Sequence, residues 1–120
     1  MTLDIREYQD RIVIEHPSDP DVQITCEPLS QRDWIVLRKT CTTKKRHKGL
    51  LEEEFDPAEF NERTWARCVV DWTGITDGGQ PWPCTEANKT AFYKHYWNSV
   101  CAYVIDTLTE RHRAQGGFSD

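Results

Sequence analysis

Apolar and polar residues alternate near the beginning of the chain, within residues 5–15 and again within residues 22–26. Period-two alternation is typical of strands that have one covered face. Between them, residues 16–21 concentrate turn-forming residues, including two prolines that we expect to be excluded from a sheet ladder. The pattern therefore predicts an N-terminal β-hairpin with a medium-length loop. The alternating positions are Tyr8, Ile12 and Ile14 in the first strand and Val22, Ile24 and Cys26 in the second.

Two helix starts follow, each marked by a capping residue. Ser30 is the expected N-cap of a short helix that carries Trp34 and Leu37 at helical spacing. Asp56, followed by a proline at the first helical position, marks the second start. A largely apolar stripe at helical spacing then predicts a helix over residues 56–72. The stripe consists of Ala58, Asn61, Trp65, Cys68, Val69 and Trp72.

The last third of the chain predicts a long aromatic helix. Thr85 is its expected N-cap, and Glu86 places a favourable negative charge in the first turn. The helix is expected to run to about residue 113 with a break near His95, because the crowded aromatic residues there have weak helix propensity.

Between the first two helices, residues 42–55 show neither helical nor strand periodicity. A basic block at residues 44–48 precedes an acidic block at residues 52–54, which indicates an exposed, mobile loop whose opposite charges attract one another. Together these elements predict an α+β fold, in which the N-terminal β-hairpin is followed by three or four helices and most residues are helical. We expect a single domain over residues 1–114 and a frayed tail over residues 115–120.

Composition narrows the class of protein. The 120 residues fit one domain, and 20 acidic against 15 basic residues give a net charge of −5. Five Trp, four Tyr and four Phe supply most of the burial and exclude the composition of a disordered chain. No apolar run approaches the roughly 18–20 residues that span a bilayer, and no signal peptide is recognisable. We therefore expect a cytoplasmic protein without a membrane association.

The sequence gives little support for catalysis. Five widely spaced cysteines without a CxxC pair are expected to be reduced, mostly buried residues. The four histidines are scattered, without a ligand at helical spacing, and no nucleotide-binding or hydrolase motif occurs. Cys84, which precedes a helix, has no histidine placed by spacing to act as its base. We expect no enzyme activity and no catalytic, cofactor-binding or metal-binding residues.

A basic stretch over residues 38–48 carries six Lys and Arg residues. Such a stretch can bind the phosphates of a nucleic acid. However, it contains no aromatic residue that could stack on bases, it is followed by the acidic block, and the chain is acidic overall. We consider a small nucleic-acid-binding regulator an alternative and not the main expectation.

The central stretch resembles small proteins of tailed bacteriophages and prophages. In residues 66–75 and 77–88, a helix ends in a tryptophan and a glycine-rich turn leads to a Thr-Glu helix start; the Pro-Leu-Ser helix start at residues 28–30 is also similar. The likeness is clear over residues 56–88 and loose elsewhere. One departure is the bulky Pro-Trp-Pro-Cys segment at residues 81–84. The turn residues that match are Asp71, Trp72, Gly74, Asp77, Gly79, Pro81 and Thr85, and we interpret them as structural.

Proteins with this arrangement are commonly tail assembly chaperones. The resemblance implies a non-enzymatic protein of the bacterial cytoplasm that binds the helical tape-measure protein and helps recruit tail tube subunits. A homo-oligomer is compatible with this role, and a minor virion or tail connector component is a second alternative. Aromatic residues of the last helix are the expected partner-binding anchors, namely Phe92, Tyr96, Trp97 and Tyr103.

Overall fold

A computed structural model of the protein describes residues 11–114. The part of the chain that it describes contains both strands and helices, so the α+β class is confirmed. The elements are β1 (Ile12–His16), β2 (Asp19–Cys26), α1 (Gln31–Thr40), β3 (Thr42–His47), β4 (Leu50–Phe55), α2 (Pro57–Cys68), β5 (Val69–Thr73), β6 (Thr76–Asp77), β7 (Gln80–Pro81), α3 (Glu86–Tyr96), a π-helical segment (Trp97–Cys101) and α4 (Ala102–Ala114).

The main sheet has three antiparallel strands in the order β1-β2-β5. Ile14 lies opposite Ile24, and Ile24 lies opposite Trp72, so one apolar row crosses all three strands. All three side chains are buried, because this face of the sheet packs on the helices. Residues 5–10 of the predicted first strand and the predicted tail over residues 115–120 lie outside the described residues.

The turn between β1 and β2 is shorter than the sequence predicts. Strand β2 begins at Asp19 and includes Pro20, which we expected in the loop. The pairing with β1 shifts between Glu15 and His16, and the pairing of β2 with β5 begins only at Gln23. Pro20 therefore lies at an irregular strand end, where a missing N–H removes no regular ladder hydrogen bond.

The prediction of a helix over residues 56–72 is wrong at its C-terminal end. Helix α2 ends at Cys68, and the next five residues form β5 against β2. Val69 and Trp72 are three residues apart, as in a helical stripe, yet both are buried in β5, because its pairing with β2 shifts register between Val69 and Asp71. β-branched Val69 and Val70 favour the strand, and β2 offers it a hydrogen-bonding edge.

The prediction of a loop over residues 42–55 is also wrong. β3 and β4 pair in register from Thr42↔Phe55 to His47↔Leu50, and the turn between them consists of Lys48 and Gly49. Both turn residues have positive φ, which suits a two-residue hairpin turn. The pattern hides these strands because both faces are largely exposed.

The expected attraction between the two charge blocks occurs as cross-strand pairing. Lys44 lies opposite Glu53, and Lys45 lies opposite Glu52, while the Lys45 Nζ contacts Glu54 Oε2 at 2.8 Å. At the base of the hairpin, the Asp56 N–H donates to the Cys41 carbonyl at 2.9 Å. The basic and acidic blocks are therefore the two strands of one projecting hairpin.

The three predicted N-caps accept the expected hydrogen bonds. Ser30, Asp56 and Thr85 each accept through a side-chain oxygen from the backbone N–H three residues later, at 3.1 Å in each case. α3 and α4 are joined through the π-helical segment, which begins two residues after the predicted break at His95. The buried apolar residues form one core between the main sheet and the helices, with Trp34 and Trp65 among its largest side chains.

Candidate functional site

The chain leaves β5 through a glycine-rich turn that is fixed against β2. Gly74 has a φ of +81°, and a Cβ at this position would overlap the backbone carbonyl group of Asp21. Gly78 and Gly79, also at positive φ, then connect β6 to β7. Only a residue without a side chain allows the turn to approach β2 this closely.

The other residues of the predicted turn motif precede or follow Gly74 along the chain. The Asp71 carboxylate accepts a hydrogen bond from the Trp72 backbone N–H at 2.9 Å. Asp77 and Pro81 are exposed in β6 and β7, and Thr85 caps α3. The motif thus forms a short path from the buried sheet to the start of α3.

Five aromatic residues, which we call the aromatic cluster, connect this turn to α3. They are Trp65, Trp72, Trp82, Phe92 and Tyr96. The Trp72 ring stacks on Trp82 at a centroid distance of 5.6 Å, and its Nε1 donates to the Trp82 carbonyl at 2.6 Å. The Phe92 ring contacts Trp72 at 5.5 Å and Tyr96 at 4.7 Å between ring centroids, and it also stacks on Trp65 at 5.7 Å. The cluster runs from the core to the surface at Tyr96, whose side chain is 52% exposed.

An open cleft lies where the cluster reaches the surface, between the glycine-rich turn, the first residues of β2 and the end of α3. Its volume is about 490 Å³. Most of its lining is apolar or aromatic, while two carboxylates lie on its wall. The cleft is lined by Asp19, Val22, Gly74, Ile75, Thr76, Asp77, Trp82, Phe92, Tyr96 and Val100.

The four predicted anchor residues do not share one surface. Phe92 and Tyr96 line the cleft, although Phe92 is buried and presents little of its ring. Trp97 is 48% exposed but is not part of the cleft lining. Tyr103 lies in edge-to-face contact with His16, at 5.6 Å between ring centroids. The cleft therefore brings together two of the four with the glycine-rich turn.

Sequence reasoning missed three apolar contributors to the cleft, namely Val22, Ile75 and Val100. Val22 was assigned to the covered face of a hairpin, and nothing in its pattern places it beside a turn 50 residues later. Trp82 did carry a signal, since the bulky segment at residues 81–84 departs from the turn pattern that the sequence resembles and suggested a buried or contact surface. The Trp82 N–H donates to the Ile75 carbonyl at 2.9 Å, which closes the small hairpin under the cleft.

A buried lysine joins α3 to the C-terminal end of α2. Lys89 is 5% exposed, and its Nζ donates to the carbonyl oxygens of Ala66 at 2.7 Å and Val69 at 3.0 Å. It also contacts Glu86 Oε1 at 2.8 Å. The ammonium group thus satisfies carbonyls at the C-terminal end of α2, where the helix dipole favours a cation.

The cysteine thiols are protonated groups in apolar surroundings. Cys26, Cys41, Cys68 and Cys101 are buried, Cys84 is partly buried, and none is in a disulfide. Burial raises the pKa of Cys26, Cys68 and Cys101 to about 12 in each case. Burial also raises the pKa of Cys84, which is opposite to the shift of an activated nucleophile.

No protein-family model matches the chain, and no solved structure matches it significantly.

Over residues 11–114, no group of three or more His, Cys, Asp or Glu side chains is arranged to hold a metal ion. Within the same range, every helix is too short or too polar to cross a lipid bilayer.

Proposed function

We propose that the protein is a non-enzymatic tail assembly chaperone of a bacteriophage or prophage, and that its cleft binds an amphipathic helix of the tape-measure protein in the bacterial cytoplasm. The observation that carries the proposal is the cleft itself. It is apolar and open, and it is bounded by the glycine-rich turn on which the sequence resemblance depends.

The open, largely apolar lining of the cleft suits a helix bound by its apolar face. Helix-in-groove recognition places a few apolar anchors into a groove of this kind. Trp82 and Tyr96 provide aromatic surface, which commonly carries a large share of the binding energy at interfaces. A tape-measure helix with an apolar stripe needs such cover before the tail tube forms around it.

The walls of the cleft are held in place before any partner binds. Gly74 lies against the backbone of Asp21, and the Trp72 indole is hydrogen-bonded to the Trp82 carbonyl. Phe92 is packed between Trp65 and Tyr96. A preformed site loses less conformational entropy on binding, so a modest apolar area can still give useful affinity.

Co-expression with the tape-measure protein of the same phage or prophage tests the proposal. We expect the chaperone to keep the tape-measure protein soluble and to co-purify with it. Tyr96→Ala should reduce the recovered complex at least fivefold, because it removes an exposed wall of the cleft. Tyr103→Ala is the matched control, since this partly exposed tyrosine contacts His16 outside the cleft. Equal recovery with both variants would contradict the assignment of the cleft.

The same preparations separate the two alternatives. A minor virion component should remain in purified particles, whereas a chaperone should be absent from them. A nucleic-acid regulator using residues 38–48 should show binding that weakens steeply with salt. The pairing of Lys45 with Glu54 weighs against that regulator, because the acidic strand offsets the positive charge of the basic one.

A further inference from the structure

We infer that the cleft selects an amphipathic helix whose apolar stripe is flanked by Lys or Arg, and not one flanked by acidic residues. The inference rests on the proposed function and specifies the chemistry of the partner. It comes from the charges on the cleft wall, which the sequence resemblance does not address.

The charged side chains that line the cleft are both acidic. Asp19 lies at the start of β2 and Asp77 lies in β6, and both residues are exposed. The Asp19 carboxylate also accepts a hydrogen bond from the Asp21 N–H at 3.2 Å, which restrains it at the strand start. A helix in the cleft therefore meets negative charge beside the apolar floor.

The aromatic walls favour the same kind of partner. The faces of Trp82 and Tyr96 carry negative electrostatic potential, and cations are attracted to such faces. Lys and Arg can lay their apolar stems along a ring and direct the charged group toward a carboxylate. An acidic side chain at the same place would lose both interactions and would be repelled by Asp19 or Asp77.

Charge also decides between the candidate occupants. A second copy of this chain would bring another net charge of −5 to an acidic cleft. A basic amphipathic helix gains attraction at long range and at contact. The occupant that fits is therefore a helix from a different, locally basic protein segment.

Three synthetic peptides with one Leu stripe, flanked by Lys, Gln or Glu, test the inference on the full-length protein. Titration calorimetry at low salt should rank their affinities as Lys, then Gln, then Glu. Each exposed charge pair contributes up to about fivefold in affinity, so we expect roughly a tenfold or larger span between Lys and Glu peptides. The span should shrink at high salt through screening.

Protein variants then assign the preference to the two carboxylates. The double variant Asp19→Asn with Asp77→Asn should lose most of the preference for the Lys peptide over the Gln peptide and keep only the part that the aromatic rings supply. Asp106→Asn, which removes an exposed carboxylate on α4, should leave the ranking and the span unchanged. Asparagine keeps a side-chain oxygen that can accept from the Asp21 N–H, so the strand start is preserved.

The possible results distinguish the two proposals. Equal binding of all three peptides, sensitive to Tyr96→Ala, would overturn the charge preference but leave the cleft as a helix-binding site. Binding of no peptide, or binding insensitive to Tyr96→Ala, would overturn the helix-binding cleft as well. A stable dimer in light scattering that dissociates in Tyr96→Ala would show that a second copy is the occupant and would overturn the inference.

Discussion

The close approach of Gly74 to β2 can be tested by adding a single methyl group. Gly74→Ala forces a residue with a side chain into a φ of +81° and drives its Cβ into the carbonyl group of Asp21. The conformational cost alone is about 1–2 kcal/mol. Because the obstructing atoms belong to the backbone of β2, they cannot move aside as a flexible side chain would.

Gly79→Ala is the matched control for this substitution. Gly79 has a similar φ of +85°, but a Cβ there meets no atom within 4 Å. It should therefore lose only the conformational part, about 1–2 kcal/mol. Overpacking typically adds about 1–3 kcal/mol, so Gly74→Ala should lose roughly 2–5 kcal/mol. The difference between the two variants measures the steric contact itself.

Urea unfolding followed by tryptophan fluorescence measures both variants. For a domain of this size, each 1 kcal/mol lowers Tm by about 4 °C, so thermal unfolding also separates the two variants. Gly74→Ala should also weaken helix-peptide binding, because the turn and the start of β2 both line the cleft. Equal losses of stability in the two variants would refute the close approach.

Three further measurements test buried groups of the fold. Lys89→Met should lower the unfolding free energy by about 1–3 kcal/mol, because it leaves the carbonyls of Ala66 and Val69 without their donor. Lys94→Met, at an exposed position of α3, is the control and should change the unfolding free energy little. Equal effects of the two substitutions would contradict the role of Lys89. Burial lowers the pKa of His112 below 6.5, so on acidification the unfolded chain takes up a proton before the folded protein does. The contribution of neutral His112 to the unfolding free energy is therefore complete above pH 6.5, and it declines as the pH falls through the folded-state pKa. His112→Phe should flatten that part of a pH–stability curve, and an unchanged slope would contradict it. A thiol reagent at neutral pH should label Cys84 before the four buried cysteines, and simultaneous labelling of all five under native conditions would be inconsistent with their burial.

Features that depend on a few neighbouring residues were predictable from the sequence. Ser30, Asp56 and Thr85 cap helices because the oxygen and the N–H that it accepts from are three residues apart. The glycines of the central turn were expected at a bend for the same local reason. The hairpin over residues 42–55 also had a local signal, since Lys-Gly separates two blocks that become paired strands, but loss of periodicity concealed it.

The cleft could not be predicted from the sequence, because it is formed by contacts between segments that are distant along the chain. The three-residue spacing of Val69 and Trp72 predicts a helix, but the free edge of β2, more than 40 residues earlier, favoured a strand whose irregular pairing buries both side chains. Once β5 joins the sheet, Gly74 contacts Asp21, and the start of β2 becomes a wall beside Tyr96. Local capping and turn chemistry thus determined where the elements begin. Hydrogen bonding and packing between distant segments decided which side chains form the cleft, because one chain segment carries no information about which edge or surface will meet it.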